Sequence, residues 1–101
     1  MTLKARKFDH VAVTVSDTEA SLSFYVGQLG LQQVEQHQLE GDKVDEANGL
    51  SGARAQSTRL IAPESPNVLI DLLEYWDHDA QDHITPHGSV GSCHFALVVD
   101  D

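Results

Sequence analysis

Residues 9–17 and 93–101 follow one pattern. Asp9-His10-Val11-Ala12-Val13-Thr14-Val15-Ser16-Asp17 and Cys93-His94-Phe95-Ala96-Leu97-Val98-Val99-Asp100-Asp101 both read x-His-φ-Ala-φ-x-Val-x-Asp, with φ apolar. A unit that returns in this way constrains the architecture more than any local propensity, because each copy must play a comparable part in the fold. In the first copy Val11, Val13 and Val15 point to one side of a strand and His10, Ala12 and Thr14 to the other. A helix follows. Ser16 lies three residues before Glu19, the spacing of a capping box. Leu22, Tyr25, Val26 and Leu29 then recur at i, i+3, i+4 and i+7 as one apolar stripe. Gly30 supplies the left-handed residue on which helices commonly end.

The remaining pattern predicts strands over residues 31–39, 54–61, 68–76 and 93–99, after the first over 8–15. Residues 41–52 are mostly loop, with one short helical turn expected at 44–47. Pro63, Ser65, Pro66 and Asn67 form a turn, since these residue types meet its backbone angles at little cost. Residues 77–91 read as a polar linker. The order is β-α-β-β-β-(loop)-β, an α+β domain.

Composition narrows the function classes. The chain has 101 residues, enough for one domain with a genuine core and too few for two. Sixteen acidic side chains against six basic ones give a formal charge of −10. That balance speaks against nucleic acid or an anionic membrane as partner, because both need clustered Lys and Arg. No apolar run approaches the roughly 18 residues that would span a bilayer. The basic start, Met1 to Lys7, is followed by no stretch of signal-sequence type. Cys93 is the only cysteine, so no disulfide framework exists within the chain. A cytoplasmic setting is expected, with Cys93 as a packed thiol.

Three residues stand out as candidate metal ligands: His10 on the first strand, Glu74 on the fourth and His94 on the fifth. Glu74 shares an apolar row with Ile70, Leu72 and Trp76, where a carboxylate is costly without a positive or hydrogen-bonding partner. Two imidazoles and one carboxylate suit a divalent ion of the Zn, Ni, Fe, Mn or Co type, at about 2.0–2.2 Å, with positions left for substrate. Each residue alone has a plainer reading: a lone strand histidine is usually a satisfied core group, and Glu74 has Arg54 and Arg59 nearby as ion-pair partners. The loop residues Asp77, His78, Asp79, Asp82, His83 and His87 lack ligand spacing on a rigid element and read as solvated linker. His37 is unassigned.

The chain resembles the vicinal oxygen chelate superfamily, which includes glyoxalase I, methylmalonyl-CoA epimerase, extradiol dioxygenases and bleomycin or fosfomycin resistance proteins. The matching stretches are Phe8-Asp9-His10-Val11-Ala12-Val13-Thr14-Val15, Ser23-Phe24-Tyr25 with Leu29-Gly30-Leu31, Gly49-Leu50-Ser51-Gly52-Ala53, Asp71-Leu72-Leu73-Glu74-Tyr75, and residues 91–101. The resemblance implies paired βαβββ modules forming an eight-stranded cup around one metal, with ligands from the first and fourth strand of each module. On that basis residues 1–76 are one module, 77–91 a linker and 92–101 the first strand of a truncated second module. His10 and Glu74 match the first module's ligands, and His94 the histidine opening the second. The strand that would carry the fourth ligand is absent, so either the site is incomplete or a homodimer builds a His2Glu2 site across a two-fold axis.

Two functions follow from the resemblance. One is a metal-dependent lyase or isomerase of the glyoxalase or epimerase kind, or a dioxygenase, acting on a small oxygenated metabolite, with Glu74 moving the proton. The other is a metal-free protein of the bleomycin-resistance kind that sequesters a cationic, partly aromatic ligand against Leu72, Trp76 and Ile70. An inert truncated module is a third outcome.

Overall fold

The computed structural model describes residues 3–41, 54–76 and 87–100. Four strands form one mixed sheet: β1 His10–Thr14, β2 Gln32–Glu40, β3 Arg54–Ala62 and β4 Ser65–Tyr75. Their spatial order is β1-β4-β3-β2, with β1 parallel to β4 and the other pairs antiparallel. The parallel β1–β4 pair requires a crossover, and the helical segment after β1 begins it. This is the expected βαβββ order in an α+β fold.

Helix α1, Thr18–Leu22, continues into a π-helical stretch, Ser23–Gln28. Asp17 is the N-cap, and its side chain accepts from the Ala20 backbone N–H at 3.2 Å. The cap is therefore one residue later than the Ser16–Glu19 spacing suggests. A carboxylate at Asp17 competes well with a hydroxyl for that role. The π turn shows in the Leu29 N–H donating to the Phe24 carbonyl, and Gly30 closes the segment with φ of 76°. Leu22, Tyr25 and Val26 pack on the core, as the apolar stripe predicts.

The core lies between α1 and the sheet. Leu31, Leu60, Ile70 and Leu72 are buried, and Val11, Val13 and Val15 pack against them. The β3–β4 turn is tighter than expected, because Ala62 pairs directly with Ser65 around Pro63 and Glu64. Pro66 is accommodated inside β4 because pairing with β1 starts only at Leu69. Proline lacks a ladder donor and needs a side of the strand with no neighbour.

The expected fifth strand does not form. Residues 92–100 have no regular secondary structure, and Cys93 is exposed rather than packed. Leu97 rests on the core, while Phe95, Val98 and Val99 stay exposed. Alternation alone makes no strand where the segment has no mate in a ladder. The helical turn expected at 44–47 lies outside the described residues, as does linker segment 77–86. Among the described residues, no helix is long and apolar enough to cross a membrane.

Candidate functional site

Register decides which side chains meet. In the parallel β1–β4 pair, Val11 stands beside Ile70, Ala12 beside Asp71 and Val13 beside Leu72. Side chains in register share a face, and successive ones alternate. Ile70, Leu72 and Glu74 therefore lie on the valine face, under α1, while His10 shares the opposite face with Asp71. The cavity expected to unite His10 and Glu74 is not formed. The two also stand five register positions apart along β4, about 16 Å at strand rise.

Glu74 is already engaged. Its Oε1 accepts from the Thr18 backbone N–H at 2.6 Å, and its Oε2 accepts from the Trp76 indole N–H at 2.7 Å. Both of its oxygens thus have donors that are not arginines. The Thr18 N–H, helped by the Thr18 side chain and the Trp76 indole and opposed by partial burial, holds the carboxyl below its ordinary range. The Thr18 hydroxyl is itself buried and makes no hydrogen bond among the described residues. Glu74 thus satisfies an orphan donor at the start of α1. Leu72 is fully buried in the core, not in a pocket, and Trp76 is exposed beside Glu74. The apolar wall expected from Ile70 and Leu72 consequently faces α1, not the side that carries His10.

His10 is exposed, with its Nδ1 at 2.7 Å from Asp9 Oδ2. A carboxylate only accepts, so Nδ1 carries the proton and Nε2 keeps its lone pair when the ring is neutral. This contact, first among the causes, lowers the Asp9 carboxyl below its ordinary value. His94 is exposed and stacks on His87, ring centroids 5.4 Å apart at 19°. Among the described residues, no three His, Cys, Asp or Glu side chains are grouped to hold a metal. The donors His10, Glu74 and His94 do not fit a common divalent ion.

The face opposite α1 carries a different constellation, missed in the sequence. Arg59 on β3 is paired in register with Asp71 on β4 and Glu35 on β2. Its Nε is 3.6 Å from Asp71 Oδ2 and its Nη1 is 3.9 Å from Glu35 Oε2. The buried Ser57 hydroxyl donates to Asp71 Oδ1, and His37 Nε2 lies 2.9 Å from the same Glu35 oxygen that faces Arg59. Tyr75 shares this face, and burial, then the Asp71 charge, pushes its hydroxyl up. The available signal was Asp71 itself, one of two carboxylates inside the most apolar strand and the one out of step with Ile70 and Leu72.

The chain has clear likenesses to known proteins. A search of curated proteins returned no match. Among solved structures, a glyoxalase family protein from Bacillus cereus superposes with a TM-score of 0.67 at 19% identity, covering 92% of this chain and 60% of that one. SMU.1112c gives a TM-score of 0.47 at 20% identity, covering 82% of this chain and 52% of that one. The chain thus spans little more than half the length of these neighbours. The model of one family matches residues 7–101, nearly the whole sequence. The chain belongs to the Glyoxalase/Bleomycin resistance protein/Dioxygenase superfamily.

Proposed function

We propose that this chain is a small-molecule-binding member of its superfamily that takes an oxygenated organic ligand on the sheet face opposite α1, without a divalent ion. Members of the superfamily commonly bind such ions, so the reading departs from a common habit and needs a specific reason. The reason is Glu74. Its two oxygens are taken by Thr18 and Trp76 on the helix side of the sheet, away from His10. A metal-dependent lyase, isomerase or dioxygenase would need those groups on one ion. Asp71, the carboxylate on His10's own face, already has the Arg59 guanidinium beside it, and that positive charge opposes a divalent cation.

The test is metal content after purification without chelator, by plasma mass spectrometry, on the wild type and His10→Ala. Well under one equivalent per chain is expected in both. About one tightly held equivalent that disappears in His10→Ala would sink the metal-free reading and restore the enzyme. Homodimerisation belongs to the same proposal, because β1 and β2 have unpaired outer edges among the described residues, and such edges favour association.

A further inference from the structure

The proposed function leaves open what holds the ligand, and the charge arrangement on the face opposite α1 answers in chemical terms. Arg59 lies on β3, an inner strand of the sheet, with 28% of its side chain exposed. Its Nε is buried and has no hydrogen-bond partner among the described residues. The two carboxylates beside it, at 3.6 and 3.9 Å, attract the guanidinium but stand beyond hydrogen-bond length. Each is held off by a second group, Asp71 by the Ser57 hydroxyl and Glu35 by the His37 ring. The fork is therefore fixed in place with its donor capacity unspent. Nε itself is closed to a ligand, so an acceptor can reach this guanidinium only where the side chain stays exposed.

We propose that Arg59 anchors the ligand, and that the ligand is an uncharged small molecule with a carbonyl oxygen beside an N–H or O–H donor. This rests on the metal-free reading above. The carbonyl would accept from the exposed edge of the guanidinium, and the neighbouring donor would meet Glu35 or Asp71. Charge selects this class. One positive group between two negative ones leaves the locality net negative, which repels a free anion. A cation reaching either carboxylate abuts the guanidinium. A neutral group with both donor and acceptor meets neither penalty, and planar acceptors suit the arginine fork.

Three isosteric probes separate the cases: acetamide, acetate and acetamidinium, each titrated into 15N-labelled full chain. The readout is the side-chain Nε–Hε resonance of Arg59, readily assigned with Arg59→Lys because the chain has only three arginines. Acetamide should shift it saturably in the millimolar range, with acetate and acetamidinium inert at matched ionic strength. Arg59→Lys keeps a counter-charge for Asp71 and so preserves the fold, checked by its amide spectrum. It should weaken acetamide at least about tenfold, read on β3 amides, because the fork is lost. Tighter binding of acetate or acetamidinium overturns the ligand class, and no response to any probe overturns the anchor. A bound metal overturns the metal-free reading instead, and the metal assay detects it independently.

Discussion

Glu74 shows how one carboxylate serves structure where its position suggested chemistry. It ties the first backbone N–H of α1 to the end of β4 and at the same time orients the Trp76 indole. Hydrogen bonds to a charged group are stronger than neutral ones, so Glu74→Gln should cost about 1 kcal/mol at neutral pH and Glu74→Ala rather more. The pH dependence has a definite sign. A carboxyl lowered from 4.5 by Thr18 stabilises the fold above 4.5, and that contribution fades as pH falls through the lower folded value. Denaturant titrations from neutral to acid pH, followed by the single tryptophan, should therefore show wild type and Glu74→Gln converging in acid. A constant gap between them across that range would mean that ionised Glu74 is not the stabilising species.

At the scale of the element, β4 settles which residues meet, and it was the hardest strand to read. Most of the fold was legible because β1 and α1 carry clean periods: 2 for the valines, and the helical stripe of Leu22, Tyr25 and Val26. The site was not. His10's face follows from β1 alone and Glu74's from β4 alone, but whether the two faces coincide depends on register between strands more than fifty residues apart. A slip of one position exchanges every side chain between faces. Apolar residues on both sides of β4, Leu69 and Leu73 on one and Ile70 and Leu72 on the other, hide the difference. The assignment is measurable by paired substitutions. Leu72 is fully buried and Leu73, on the face opposite α1, only half-buried. Leu72→Ala should cost about 3 kcal/mol, and Leu73→Ala about 1 kcal/mol as a partial burial of the same side chain. A larger shift in urea midpoint for Leu73→Ala than for Leu72→Ala would mean that the two faces are exchanged.

For the whole molecule, the unsettled part is the second copy of the repeated pattern. Its first counterpart, β1, succeeds as a strand because β4 offers it a parallel ladder and the valines have α1 above them. Residues 92–100 have the same alternation but no ladder. Leu97 alone reaches the core, while Phe95, Val98 and Val99 border a cavity of about 530 Å³ with Val68 and Leu29. Val68, Phe95, Val98 and Val99 all count among the exposed large apolar side chains. Burying apolar area is worth about 25 cal/mol per Å², and a second chain is one source of such cover. The net charge of −10 opposes close approach but is screened beyond about 8 Å at physiological salt. Molar mass from light scattering should accordingly rise toward that of a dimer with concentration, more steeply as salt is added. Val98→Asp, which places charge on this patch without touching the buried core, should hold the chain monomeric over the same range. A wild type that stays monomeric at high salt, or a variant that associates equally well, would leave the repeated segment without the role argued for it.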